Sequence, residues 1–284
     1  MNIVKHYKIY FMISAVLILA GLAVMTFGGL NYGIDFTGGT MLTISMEKSV
    51  LAEDIAQALS EFELDPVIQH QGVGDKTIVI KTKQPLDTAE RNAIKDKLIE
   101  SFALATDTRM DGEQFGPNIG EEISRKALIS MALAALGMLI YVTVRFQFYY
   151  GVAAIIALVH DLLILVSLYA FFNITVNSNF IAAILTILGY SINDTIVIFD
   201  RIRENSKYMR GKPKMQITGV SVDQSLSRTF LTSITTFVVV FFLYIFGVPT
   251  VKEFALPLMF GIVVGTYSSI FLAGPLWAII SKDK

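Results

Sequence analysis

The 284-residue chain contains no cysteine, which excludes disulfides, thiol nucleophiles and cysteine-ligated metals, and leaves the redox character of its compartment unreadable from thiol usage. Charge is also scarce. Only 17% of residues are Asp, Glu, Lys or Arg against 54% hydrophobic, a balance too apolar for an ordinary soluble domain. The formal net charge of -1 gives no general attraction to nucleic acid. No H-E-x-x-H, Walker loop or Cys/His metal spacing occurs, so an ATPase or metalloenzyme would have no residues to work with. Neither a catalytic centre nor a cofactor is expected.

What the chain has instead is long apolar runs. Ile9 to Phe27 follows Lys5, His6 and Lys8 and is uncharged for about 19 residues, enough to cross a bilayer core. It exceeds the roughly 7 to 15 residues of a signal-peptide core and no A-x-A site follows, so it reads as a retained anchor. Further runs at 127–144, 149–172, 180–199, 229–246 and 254–280 bring the expected spans to six. Lys5, Lys8, Arg145, the basic segment from Arg201 to Lys214, Arg228, Lys282 and Lys284 fall on one side, while the short loops of the other hold only Lys252. The positive-inside rule puts the first set, and both termini, in the cytoplasm of a multi-pass membrane protein.

Residues 31–123 are read as an extracytoplasmic domain, following 1–30 (N-terminus and first span) and preceding a five-helix membrane part, 124–284, with a cytoplasmic segment at 200–228. Alternation at Met41 to Met46 predicts a strand, and Leu51, Ile55, Ala58 and Leu59 fall at helical spacing within Val50 to Phe62. Pro66 to Gln71 and Lys76 to Lys83 read as a hairpin joined by Gly72-Val73-Gly74-Asp75. Leu86 to Leu104 is helical with Asp87 or Thr88 as N-cap, and a weaker strand is placed in Thr106 to Phe115. The βαββαβ order is that of a ferredoxin-like α+β fold. Met215 to Leu226 is expected to lie along the membrane surface.

Asp194 is the sharpest chemical signal, because an ionised carboxylate in hydrocarbon costs several kcal/mol unless it is paired or neutralised. It sits about 9 Å above the charged boundary at Asp200, within reach of Arg228 on the next span. Tyr190 and Ser191 share its face, and Arg228, Thr232, Thr235 and Thr236 form a second polar stripe, so a hydrated seam is expected between the two helices. A structural ion pair fixing helix register is the plainer reading. His160 and Asp161 lie mid-span; as neighbours about 100° apart they are expected on different faces, against different helices, as a polar relay or as packing. Gly33, Asp35, Gly38 and Gly39 in GIDFTGG suggest a tight hinge or docking turn with positive φ and Asp35 capping backbone N–H groups, without the strand-then-helix context of a phosphate loop. The G-x-G-D string at 72–75 resembles that of intramembrane aspartyl proteases, but its place in a soluble hairpin argues against that chemistry. Gly261, Gly265, Ser269 and Ala273 form a small-residue row suited to close helix packing.

GIDFTGG after the first span, HD in the third, GYSINDTIVIFDRIREN in the fourth and SLSRTFLTSITT opening the fifth closely resemble the SecF family of bacterial Sec protein-export subunits. The resemblance covers essentially the whole chain. It implies half of a resistance-nodulation-division (RND) type transporter, paired with a separate SecD polypeptide and the SecYEG channel, acting on the translocating preprotein after the SecA-driven step by means of the proton gradient. Asp194 is then implied as the proton-path carboxylate, Arg228 as its basic partner and Asn193 as its neighbour on that path. A scaffold subunit that carries no proton, and half of an RND small-molecule exporter, are the alternatives.

Overall fold

The computed structural model describes residues 3–46, 48–71 and 76–281. Among them, six helical stretches are long and apolar enough to cross a membrane: Val4–Gly28, Asn118–Arg145, Phe148–Phe171, Ser178–Tyr208, Lys214–Phe246 and Pro249–Ile280. The corresponding helices are α1 (Tyr7–Gly28), α5 (Pro117–Arg145), α6 (Phe148–Phe171), α7 (Ser178–Tyr208), α8 (Lys214–Phe246), and α9 (Pro249–Ser268) running through a π-helical turn, Ser269–Ala273, into α10 (Gly274–Ile280). Between α1 and α5 come α2 (Ile34–Thr37), β1 (Gly39–Ser45), α3 (Ala52–Ala58), β2 (Val67–Gln71), β3 (Thr77–Thr82), α4 (Thr88–Phe102) and β4 (Met110–Phe115). The protein is thus a six-span helical membrane protein carrying a small ferredoxin-like α+β unit after its first span.

The four strands form one antiparallel sheet in the order β2-β3-β1-β4. Alternation fixes its register. Leu42 lies opposite Ile80 and Ile44 opposite Ile78, so these four fully buried side chains point together at Ile55 and Leu59 below α3 and at Ile94 and Leu98 of α4. Each such side chain removed from water contributes roughly 1.5–3 kcal/mol, which gives the unit a core of its own. Helix α4 starts where the sequence marks it: Asp87 accepts from the Glu90 N–H and Glu90 reaches back to the Asp87 N–H, a complete capping box. The expected hairpin is present in β2 and β3; its turn at 72–75, and with it the G-x-G-D string, lies outside the described residues. The expected weak strand is β4, and α5 begins at Pro117, before the boundary read at 123.

In the membrane part, α6, α7 and α9 are central and α1, α5 and α8 peripheral, with broad apolar faces such as Leu19, Leu133 and Val239 turned outward. Lipid offers no hydrophobic drive for helix association, so close packing carries it. The row of small residues on α9 serves this: a Cβ on Gly261 would strike Ile187 of α7, and one on Gly265 would come within 2.9 Å of the Ser191 Cβ.

The basic segment departs from expectation. Helix α7 runs on to Tyr208 and α8 begins at Lys214, so a short turn separates two helices that project past the apolar zone side by side. Met215 to Leu226 is the start of α8 and not a separate surface helix, because Ile217, Val222 and the Ser221 hydroxyl pack inward, the last bonded to Asn205 of α7 at 2.9 Å.

The GIDFTGG turn is α2 with its flanks. Gly38 and Gly39 have φ of 77° and 145°, which other residues adopt only with strain, whereas Gly33 has an ordinary φ of -72°. Asp35 accepts from a backbone N–H not of its own turn but of Ser178, at 2.7 Å, at the first turn of α7. The Gly33 N–H to Val176 carbonyl bond, 2.8 Å, and the Val176 N–H to Asn31 carbonyl bond, 2.8 Å, complete the junction. The turn is thereby bonded to the start of α7 and the segment before it.

Candidate functional site in the membrane helices

Two carboxylates are buried among the central helices, Asp161 on α6 and Asp194 on α7, each 2% exposed. An anion so placed needs donors, and the helices supply hydroxyls. Asp161 accepts from Ser191 of α7 at 2.6 Å and Ser268 of α9 at 2.9 Å, both on Oδ2, while its Oδ1 lies 3.0 Å from His160 Nδ1. His160 Nε2 is 2.9 Å from Ser14 Oγ on α1, and Tyr267 OH, which donates to the Tyr10 carbonyl at 2.9 Å, stands 3.3 Å from that same serine. One cluster therefore ties α1, α6, α7 and α9 together.

His160 and Asp161 reach different helices and also touch one another, a contact that the expected divergence of their faces does not include. Neighbouring Cα–Cβ bonds do diverge, and the two side chains do reach different helices, but their torsions also bring Nδ1 and Oδ1 into contact. Asp161 is thus held from three sides.

Asp194 is held more sparely. Its hydrogen bond comes from Ser233 of α8 at 3.3 Å, and Ser233 in turn accepts from Thr266 of α9 at 2.6 Å. Beside it Thr195 and Ser269 hydroxyls meet at 2.8 Å, and Ser269 donates to the Ser191 carbonyl at 3.3 Å. The π-helical turn begins at this residue; such turns widen a helix by one residue and expose backbone groups, and they occur often where side chains must be re-aimed at a site.

The expected Asp194–Arg228 ion pair is not formed. Arg228 is exposed on α8 and makes no ion pair among the described residues, because its face of the helix points away from the packed interior. Asn193 is likewise exposed on α7, so it does not line the buried cluster. Thr232 is exposed and spends its hydroxyl on the Arg228 and Thr229 carbonyls. Of the two residues expected to share Asp194's face, Ser191 serves Asp161, and the buried Tyr190 hydroxyl has no hydrogen-bond partner among the described residues. The two polar stripes thus exist, but Arg228, Thr232, Thr235 and Asn193 lie on the outer surface of the helices, not in a closed seam between them.

Ser14, Ser233, Thr266, Ser268 and Tyr267 were not singled out by the sequence. The signal available was the run Thr266-Tyr267-Ser268-Ser269, four hydroxyls in succession inside an apolar helix.

With this geometry in place, comparison with known proteins adds the following. Residues 95–283 match the family described as protein export membrane protein SecD/SecF, C-terminal, and residues 23–50, which include Gly38 and Gly39, match the SecD/SecF GG motif. The chain is 38% identical to protein translocase subunit SecF of Sebaldella termitidis, covering 100% of this chain and 93% of that one. It is 40% identical to protein translocase subunit SecF of Desulfurispirillum indicum, covering 93% and 86%. It superposes on the crystal structure of SecDF, a translocon-associated membrane protein from Thermus thermophilus, with a TM-score of 0.82 and 35% identity over 97% of this chain. For SecDF in its super-membrane-facing form the TM-score is 0.74 at 35% identity. The chain spans 38% of the length of those SecDF chains.

Proposed function

The chain belongs to the SecD/SecF family of protein export membrane proteins, and from that premise we propose that it is the half-transporter that, beside SecD in the cytoplasmic membrane, uses the proton gradient to assist protein translocation through SecYEG. The single observation that carries this reading is the polar surface beside a buried carboxylate. Asn193, Thr232 and Thr235 are exposed at a depth where α7 and α8 are otherwise apolar, and Arg228 continues that stripe to the edge of the apolar zone; polar groups facing hydrocarbon are costly. Such a surface requires a polar partner, and a second membrane half of related fold supplies one; the fused SecDF chains, of which this chain spans 38%, are consistent with that pairing.

In this reading Asp194 exchanges the proton. Its hydroxyl donor Ser233 stands 3.3 Å away, and Thr232 and Arg228 of α8 lie toward the same edge, so an anion there is balanced across the α7–α8 edge, at the junction with SecD. Protonation removes that balance and frees the edge to repack. Asp161, already held by His160, Ser191 and Ser268, is the fixed element around which α1, α6, α7 and α9 stay assembled. A charge crossing the membrane field gains about 2.3 kcal/mol per 100 mV, enough for one or two protons to bias a conformational equilibrium. The outer unit faces the extracytoplasmic side, and the termini and the basic turn face the cytoplasm.

The test is Asp194→Asn, paired with SecD in vesicles carrying a defined proton gradient. Assembly with SecD should be normal and gradient-dependent export lost; Arg228→Ala should behave alike, and Arg228→Lys should retain part of the activity because the charge survives. Export by Asp194→Asn at the normal rate, with a normal response to uncouplers, would leave Asp194 a structural residue.

A further inference from the structure

At the end of the molecule opposite the outer unit, a cavity of about 760 Å³ opens between the start of α6, the projecting end of α7, the start of α8 and α10. Its walls carry Arg203, Lys207, Arg210, Lys212 and Lys214, and among the described residues no Asp or Glu lines it. Two neighbouring cations are matched: Arg145 lies 3.8 Å from Asp200, and Arg201 pairs with Glu204 and bonds Gln224 at 2.7 Å. Within the cavity Lys207, Arg210 and Lys212 are exposed and make no ion pair among the described residues. Arg203 bonds the Arg145 carbonyl at 3.2 Å through one of its nitrogens and keeps further N–H donors. The turn that presents Arg210 and Lys212 is held by Gly211 at φ 82° and by the Lys212 N–H to Met209 carbonyl bond, 3.1 Å, so the two cations are placed by backbone geometry.

The depth of the cavity identifies its occupant. The apolar stretch of α7 ends at Asp200, so Arg203 and Lys207 stand about 5 and 10 Å beyond it along the helix, the zone that lipid headgroups occupy. The floor is aromatic, with Tyr150 and Trp277 stacked at 4.8 Å and Phe146 beside them. Three convergent cations, Lys207, Arg210 and Lys212, without an ion pair among the described residues, over an aromatic floor at headgroup depth, are complementary to a phosphodiester that carries a glycerol and acyl chains.

We propose that this cavity is a binding site for an anionic phospholipid, whose phosphate is held by Lys207, Arg210 and Lys212 and whose glycerol end rests on the Tyr150–Trp277 pair.

The chain offers its own probe, because Trp277 is its single tryptophan. The full chain in neutral detergent is titrated with phosphatidylglycerol bearing dibrominated acyl chains, and Trp277 quenching is followed. Quenching should saturate, should be at least about tenfold tighter than with dibrominated phosphatidylcholine, and should survive a large excess of inorganic phosphate. Replacing Lys207, Arg210 and Lys212 together by Gln should weaken it by about 100-fold, since each basic residue near the surface contributes on the order of a five-fold factor. These side chains are exposed, so the circular dichroism and melt should not change; Arg210→Lys should retain most of the binding. Equal quenching by the two lipids, or wild-type binding by the triple variant, overturns the proposal. Displacement by inorganic phosphate overturns the lipid assignment and makes this a site for soluble phosphate.

Discussion

Glu253, in the first turns of α9, gathers four donors from both parts of the protein. Its Oε1 accepts from Gln69 of β2 at 2.6 Å and from Lys81 of β3 at 3.2 Å, and its Oε2 accepts from Asn177 and Asn179 at the start of α7 at 2.7 and 3.1 Å. The open face of the sheet is thereby held to the membrane helices. Glu253→Gln preserves the shape but exchanges one acceptor oxygen for an NH₂, which must confront either the Gln69/Lys81 pair or the Asn177/Asn179 pair. Hydrogen bonds to a charged acceptor contribute about 1.5–3 kcal/mol each, so two lost and two weakened amount to several kcal/mol at most. The Lys81 and Glu253 side chains are 24% and 21% exposed, so water recovers part of this, and about 2–3 kcal/mol of docking free energy is the expected loss. The undocked fraction should then rise about 30- to 150-fold. Because the chain lacks cysteine, spin labels at Cys substitutions of Glu100 on α4 and of the exposed Phe172 report the distance without background. Wild type should give one narrow distance and Glu253→Gln a second, longer population, larger still in Glu253→Lys, where two cations meet. A single unchanged distance in both variants would refute the argument that this carboxylate holds the outer unit in place.

Three further expectations are simpler. Ser191→Ala and Ser268→Ala each strip one donor from buried Asp161 and should cost about 1–3 kcal/mol in unfolding titrations, the pair together departing from additivity because they share one oxygen. Asp87→Ala removes the capping box of α4 and should cost the outer unit about 0.5–2 kcal/mol in a melt while leaving the membrane helices unaffected. Cysteine at Phe172 should react with a membrane-impermeant reagent added outside intact cells and cysteine at Lys212 should not; the reverse would invert the proposed orientation.

The outer fold was legible because several independent signals agreed: alternation in β1, helical spacing in α3 and α4, and an N-cap at Asp87 or Thr88. The true ends of α7 and α8 were not, since hydropathy stops where the membrane stops, whereas the helices continue as long as Ile202, Asn205, Ile217 and Ser221 give them a shared packed face. Asp194 and Asp161 stood out because a carboxylate in an apolar run is costly and needs an explanation. Beyond His160 and Ser191, the residues that hold them did not, because a lone serine such as Ser14 or Ser233 can satisfy itself on its own helix; Ser233 does so with the Thr229 carbonyl, and still reaches Asp194. The Arg228 pairing failed for another reason. A polar stripe shows that a helix has a wet face, but not whether that face turns toward a neighbour within the chain or toward a partner outside it.

Two carboxylates grip the first turn of α7: Asp35 takes the Ser178 N–H, and Glu253 takes the Asn177 and Asn179 amides. Asp194 lies on that same helix, about 24 Å further along. A continuous α-helix is stiff in torsion and along its axis, so it behaves as a connecting rod with its far bearing seated in the outer unit. A rotation or thrust of α7 at the level of Asp194 therefore reaches that first turn with no slack linker in the train to absorb it.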